Sequence, residues 1–497
     1  MTFIIALPAE VLDYLGNFLD KRTLLNVVLV CRLFHQHFTP RIWNDVVVNS
    51  GQKGVKVDSL RVHSQWVHSL HFKKVNGHFD SDYCSVFFPK LTVLTIECSS
   101  IFTFGESDTV VVEKQDAHWA RLVRLNPTLQ DITLHLGNRP AGQGPAQFLE
   151  TIFATLPRPR RLELKSFSLP EFVYDTQQVF WRAVSRFEEV EYSGYDQSRR
   201  GLYLDVDLSR LKRLTYLTLD GTDAQEHDLR VLRKCCGLTR LRWSRTFEDL
   251  PVDAFVACLE QSTWPLLEDL ALDRVTHTDE EFAAIIHHVP PLKHLRLRST
   301  TFGPVCFGQL RVRHFDTLRT LRMEACKHFS SRMALDVLLH CPHLENFQAG
   351  HVSAEDLLAT PQPWACHGLR YLEVSFDGYI DGLESSNWLV FEQLSRLTLL
   401  EEIDVRSRDD WGQIRFASLT GILQWRLDIG LEQLAPLRRL RSLRLDRKAQ
   451  NISRRDVEWM LDHWPLFERI YGDLSKEWEL EKELTKLVRE RGIFREI

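Results

Sequence analysis

One phrase, apolar-x-x-apolar-x-apolar, recurs along most of the chain. It reads LTVLTI from Leu91, LQDITL from Leu129, FEEVEY from Phe187, LTYLTL from Leu214, LTRLRW from Leu238, LEDLAL from Leu267, LKHLRL from Leu292 and LRTLRM from Leu318. It continues as LENFQA from Leu344, LRYLEV from Leu369, LEEIDV from Leu400, LRSLRL from Leu440 and FERIYG from Phe467, with weaker copies VHSLHF from Val67 and PRRLEL from Pro159. Successive copies lie roughly 24 to 40 residues apart, a period that marks a repeat architecture. The last two apolar residues of each copy fall on one side of a short strand, and the residue between them faces the other way. Helical patterns precede the strands. In DEEFAAIIHHVPPLKHLRL, Phe282, Ile285, Ile286 and Val289 form one stripe, and Pro290 and Pro291 stop the helix before the strand. One helix with one strand cannot bury its apolar side alone. The pattern therefore predicts an α/β solenoid with parallel strands on a concave face and helices on a convex one.

Three segments break the period. Residues 99–124 and 137–147 separate early copies, the second rich in Gly and Pro and expected to be a loop. Residues 406–436 form a long insertion carrying Trp411 and Trp425, which are either packed or poised for a partner. The chain finishes on a charged helical pattern in which Leu480, Leu484, Leu487 and Val488 make a narrow apolar stripe, suited to covering the last repeat.

The opening stretch LPAEVLDYLGNFLDKRTLLNVVLVCRLFHQHFTPRIW, Leu7 to Trp43, is different. Pro8 opens a helix on which Val11, Leu12, Leu15, Phe18 and Leu19 recur at helical spacing. Thr23 is the expected N-cap of a second helix, LLNVVLVC, apolar nearly all round. A third short helix bears Phe34 and Phe38 and is expected to end at Pro40, before Ile42 and Trp43. A unit of about 45 residues cannot hide this much apolar surface within itself. The excess goes to the first repeat or to another protein.

These residues resemble the F-box. Its Leu-Pro-x-Glu opening is matched by Leu7, Pro8 and Glu10, and its first-helix hydrophobics by Val11, Leu12, Leu15 and Leu19. Its central run is matched by Leu24, Leu25, Val28, Val30, Cys31, Arg32 and Phe34, where Phe34 replaces the more frequent tryptophan, and its closing tryptophan by Trp43. The following copies resemble leucine-rich repeats. LRTLRMEACKHFSSRMALDVLLHCPHLENF is closest to the cysteine-containing subtype, with Cys326 where that subtype buries a thiol. Other copies carry Val275 or Thr300 there. Together the two parts resemble the F-box/leucine-rich-repeat proteins, in irregularity closer to the fungal type. The resemblance implies a three-helix F-box over 3–48, a solenoid over 55–473 and a capping helix over 474–497. It implies the substrate receptor of a Skp–cullin–F-box ubiquitin ligase. Leu7, Pro8, Glu10, Val11, Leu12, Leu15, Leu25, Val28, Cys31, Phe34 and Trp43 would dock the Skp adaptor, and the repeats would capture a protein for ubiquitination. The alternative is a leucine-rich-repeat interaction scaffold outside any ligase.

Composition is that of an ordinary soluble globular protein. The 497 residues are 44% hydrophobic and 26% charged, with net charge −5, which lacks the basic surplus of a general nucleic-acid binder. No apolar run approaches the roughly 20 residues a bilayer requires, and the first residues lack a signal-peptide core. The ten scattered cysteines suggest reduced thiols in the cytoplasm or nucleus. No phosphate-loop, zinc-protease or nucleophile-elbow motif occurs, so neither catalysis nor a cofactor is expected. The HCPH cluster at His340 to His343, Cys235-Cys236 and Cys366-His367 fit no common zinc spacing. Outward strand positions place Arg240, Arg242, Asp269, Asp273, His294, Arg296, Arg298, Arg322 and Glu324 on the concave face. The arginines either form forked donors for an acidic or phosphorylated substrate, or are neutralised by the acids on adjacent strands.

Overall fold

The repeated phrase becomes a strand that begins two residues into it. The computed structural model describes residues 7–49, 55–75, 81–98, 108–135, 154, 156, 159–165, 185–193, 208–220, 229, 232–244, 252–261, 263–274, 277–326, 328–377, 384–406, 423–445 and 450–496. The chain divides into two compact units, Met1–Leu238 and Thr239–Ile497.

The first unit carries helices α1 (Ala9–Gly16), α2 (Lys21–Val27), α3 (Arg32–Asn44), α4 (Val57–His63) and α5 (Asp108–Leu125). Its strands are β1 (Asp45–Asn49), β2 (Ser69–Val75), β3 (Val93–Cys98), β4 (Asp131–His135), β5 (Arg161–Lys165), β6 (Glu189–Ser193) and β7 (Tyr216–Asp220). They pair in chain order, all parallel, so that Val46, Leu70, Leu94, Ile132, Leu162, Val190 and Leu217 form one register line. Every member of that line is buried.

In the second unit, strands β8 (Arg240–Ser244), β9 (Asp269–Asp273), β10 (His294–Arg298), β11 (Thr320–Glu324), β12 (Asn346–Ser353), β13 (Tyr371–Asp377), β14 (Glu402–Asp404), β15 (Ser442–Arg444), β16 (Arg469–Tyr471) and β17 (Phe494–Glu496) are again parallel neighbours in order. Between them run α6 (Val252–Glu260), α7 (Asp279–His288), α8 (Pro304–His314), α9 (Ser331–His340), α10 (Ala354–Ala359), α11 (Glu384–Ser395), α12 (Arg454–His463) and α13 (Trp478–Glu490). Leu241, Leu270, Leu295, Leu321, Phe347, Leu372, Ile403, Leu443 and Ile470 align as the second buried line. This is the strand–helix repeat that the phrase predicts.

Backbone details repeat with it. One carbonyl at the end of each phrase's entry accepts two successive N–H groups of the next repeat, as Lys293 does from Arg319 and Thr320 and Arg319 does from Glu345 and Asn346. The residue just past the strand takes the left-handed conformation at Arg274, Ser299, Ala325 and Gly472. At Gly472 a side chain is also excluded, because a Cβ would stand 2.1 Å from the Leu445 carbonyl oxygen. Helices are tied across repeats as well. The Asp279 carboxylate accepts from the N–H groups of Gly303, Val305 and Cys306, at 2.8, 2.8 and 3.1 Å, and so caps α8 from the preceding helix.

Several expectations shift. The 99–124 segment contains α5, whose Trp119, Leu122 and Val123 are buried in the first unit. Asp20, not Thr23, caps α2, accepting from the Thr23 N–H at 2.7 Å. α3 runs through Pro40 to Asn44. Pro40 cannot donate to the Gln36 carbonyl, but Gln36 is exposed, where water can replace the missing donor. Trp425 is buried, edge-on to Phe391 at 5.6 Å, and is core. Trp411 and the 137–147 loop lie outside the described residues. After α13, β17 adds one more parallel strand. It puts Arg495 where the line would continue, and Arg495 is buried on Glu481 and the Gly472 carbonyl. Glu481 in turn accepts from the N–H groups of Leu474 and Ser475 at 2.7 and 2.9 Å.

His314 gives the fold a pH dependence. It is buried, its Nδ1 accepts from the Leu292 N–H at 3.1 Å, and its Nε2 donates to the Ile286 carbonyl at 3.0 Å. Burial drops the imidazole from about 6.5 to about 4. The unfolded chain therefore binds the extra proton first. The stabilisation is complete above pH 6.5 and is lost as pH falls from 6.5 to 4, amounting to about 3 kcal/mol. Urea unfolding across that window should show this loss, and the His314→Gln variant should show a shallower one.

Candidate functional site

Two surfaces collect the candidate residues. The first is built by α1, α2 and α3, whose shared core is Leu12, Leu24 and Phe38, with Leu7, Leu19, Val27, Val28, Leu33, Phe34 and Ile42 packed partly against it. Arg41 locks the arrangement from α3. Its guanidinium donates to Asn17 Oδ1 at 2.6 Å and to the Asp13 carbonyl, and it passes Gly16 so closely that a Cβ there would meet it at 2.8 Å.

The structure divides the eleven predicted adaptor residues. Pro8, Glu10, Val11, Leu15 and Leu25 are exposed on α1 and α2 or at their start. Leu7, Val28 and Phe34 are half-buried against the small core, and Leu12 is inside it. Half-buried Cys31 is the N-cap of α3. Trp43 stacks on His63 at 4.3 Å, and His63 on Trp66 at 5.3 Å, so Trp43 ties α3 to the first repeat. Four further apolar residues stand out in solvent: Tyr14, Phe18 at 69% exposure, Leu29 at 83% and Val30. The sequence contained their signal. Val11, Tyr14, Leu15 and, just past the end of α1, Phe18 recur at helical spacing as a second stripe, about 100° round the axis from that of Leu12 and Leu19. Leu25, Leu29 and Val30 add further exposed apolar side chains on a unit too small to bury them.

The second surface is the outward side of the strands in the second unit. Arg242, Ala271, Arg296, Arg322, Gln348, Glu373, Asp404 and Arg444 occupy successive outward positions in register. Some of the expected neutralisation is present. Arg296 pairs with Asp269 and Arg298 with Glu324, both at 3.6 Å, while Asp273 accepts from the Ser244 hydroxyl at 3.2 Å. Arg322 lies over the Tyr371 ring at 5.7 Å. Exposed Arg240 stands at the start of β8, one strand from Asp269. His294 is not one of the cations. Burial holds it below the usual imidazole range, and its Nδ1 bonds the Thr320 hydroxyl at 2.9 Å. Arg242, Arg296, Arg298 and Arg322, with Asp273 and Glu324, line a concavity of about 200 Å³ floored by Ala271.

Further along, Asp404 is held by a two-point contact with Arg406, at 2.9 and 2.6 Å, and Glu373 accepts from Gln348 at 3.1 Å and from the Tyr371 hydroxyl. Among the described residues no group of His, Cys, Asp and Glu is arranged to hold a metal. Cys341 and Cys366 are buried, and burial raises both thiols. Cys326 is half-buried beneath Thr300, 3.3 Å from its hydroxyl, and burial pushes its thiol up to about 11. No helix among the described residues is long and apolar enough to cross a membrane.

No family model and no curated protein matches the chain. Among solved structures, it is weakly similar to the crystal structure of the Rad7 and Elc1 complex in yeast, at 15% identity and a TM-score of 0.35, over 85% of this chain and 84% of that one. A likeness of that size carries no argument about what this chain binds.

The division of the N-terminal residues into core and face is testable by hydrogen–deuterium exchange over α1, α2 and α3. Leu12→Ala should speed exchange there sharply, since emptying a buried leucine site costs about 2–5 kcal/mol. Leu29→Asp should leave it nearly unchanged, within about 0.5 kcal/mol.

Proposed function

We propose that this chain is the substrate-recognition subunit of a Skp–cullin–F-box ubiquitin ligase. The apolar face of α1 and α2 docks on the Skp adaptor, and through it on a cullin. The outward strand surface captures a protein substrate. The chain has no catalytic centre of its own on this reading, and contributes by holding substrate lysines near a ubiquitin-conjugating enzyme, where fixed geometry replaces chance encounter.

One observation carries the reading. Val11, Tyr14, Leu15, Phe18, Leu25, Leu29 and Val30 are all exposed on α1, on α2 and in the turns that follow them, in a three-helix unit whose own fully buried core is Leu12, Leu24 and Phe38. A cap that merely closed the first repeat would turn those residues inward. Removing them from water against a partner supplies about 25 cal/mol for each Å² of apolar surface covered.

Affinity capture under proteasome inhibition tests this. The wild-type chain should recover a Skp adaptor and a cullin, and the Leu25→Asp/Val30→Asp double variant should lose both while retaining and accumulating substrate proteins. Adaptor without cullin would instead support a scaffold outside the ligase. Equal adaptor recovery by the variant would remove the docking face from consideration.

A further inference from the structure

The notch floored by Ala271 has a specific chemistry. At the central outward position, β8 offers Arg242, β9 offers Ala271, and β10 and β11 offer Arg296 and Arg322. Parallel neighbours are about 4.8 Å apart, so Arg242 and Arg296 flank the small side chain at a separation of about 10 Å. A planar anion laid on Ala271 would meet a guanidinium fork from each side. The arginines retain donors for it. Arg242 has no ion pair among the described residues, and the contacts of Arg296 and Arg298 with acids, at 3.6 Å, are well beyond a charge-assisted hydrogen bond of about 2.8 Å.

The surroundings restrict the anion. Four arginines and two acids line the concavity, so it is net positive without being uniformly so. Asp273 and Glu324 close the end reached by the last strand residues, where they oppose a doubly charged group more than a singly charged one. Farther along the same outward line Gln348 and Glu373 follow, and the cations at Arg406 and Arg444 are engaged with Asp404, so the run of available arginines is too short to track a long polyanion such as a nucleic acid.

We propose that this notch binds a carboxylate-bearing peptide segment of the captured protein, with an Asp or Glu side chain seated on Ala271 between Arg242 and Arg296. The proposal rests on the reading of the outward strand surface as the recognition surface. It adds to that reading the class of sequence recognised.

The probe is a short fluorescein-labelled peptide of glutamates spaced by glycines, followed by fluorescence anisotropy with the full chain. Matched peptides with glutamine or phosphoserine, and a labelled thymidine oligonucleotide, serve as comparisons. The glutamate peptide should bind and weaken as salt is raised, and the glutamine peptide should not bind. Arg242→Glu combined with Arg296→Glu should weaken binding at least about ten-fold. Ala271→Gln, which fills the notch without changing its charge, should do the same, while Arg332→Glu on α9 should leave binding unchanged. Far-UV circular dichroism confirms that each variant is folded. Equal binding of the glutamate and glutamine peptides, no binding of either, or undiminished binding by the folded Arg242/Arg296 variant would overturn the proposal. So would a phosphoserine peptide binding ten-fold more tightly, which makes the occupant a phosphate, or an oligonucleotide outcompeting the peptide, which makes it a nucleic acid. Adaptor recovery is measured on the same proteins. Its absence from the wild type counts against the ligase and leaves the peptide result standing, whereas its retention in the notch variants separates the two surfaces.

Discussion

The fold depends on one constraint: parallel strands keep their register because the alternating apolar residues of each strand must land on the buried side. A slip by one residue would send Leu295 or Leu321 outward and draw Arg296 or Arg322 in, so each strand is pinned by the cost of burying a charge. Everything presented to a partner follows from that pinning. The outward residues are simply those left between the buried ones. Their spacing across the sheet is set by hydrogen-bonded strands, not by their own side chains.

The first and the last described elements treat apolar surface differently. At the C-terminal end the apolar line meets Arg495, buried on Glu481, whose carboxylate also holds the N–H groups of Leu474 and Ser475. A charge in that position is tolerated because it is paired and hydrogen-bonded on several sides. Near the N-terminus the three helices are joined to α4 and the turn after it through Trp43, His63 and Trp66, while their other apolar stripe stays in water.

The strands were legible because period-two alternation inside a fixed phrase has one physical meaning. What escaped was what lacked the phrase. β1 reads DVVVN, without the leading leucine, and β17 carries Arg495 where an apolar residue was the rule. The stripe of Trp119, Leu122 and Val123 in α5 has helical spacing, but it falls in a gap of the period, between the copies from Leu91 and Leu129. For the site, alternation placed Arg242, Arg296 and Arg322 outward correctly. It could not show that Arg322 would lie over Tyr371 from two strands away, or that burial would leave His294 neutral, because both depend on how side chains lean across neighbouring strands. On α1 the two stripes were both present in the spacing. Which one faced inward was settled by Leu24 and Phe38, contributed by other helices.

The left-handed residues just past the strands, Arg274, Ser299, Ala325 and Gly472, bear on how such a chain can diversify. Arg274, Ser299 and Ala325 leave the sheet at one register, four residues past the buried line, so whatever follows each departs from an equivalent anchor, while Gly472 comes two residues past the line. A connection can lengthen, shorten or change its chemistry from that point on without pulling on the strand behind it. The stack thus keeps a rigid frame while its rim remains open to change, and a new specificity could be grafted at one anchor with the neighbouring repeats undisturbed.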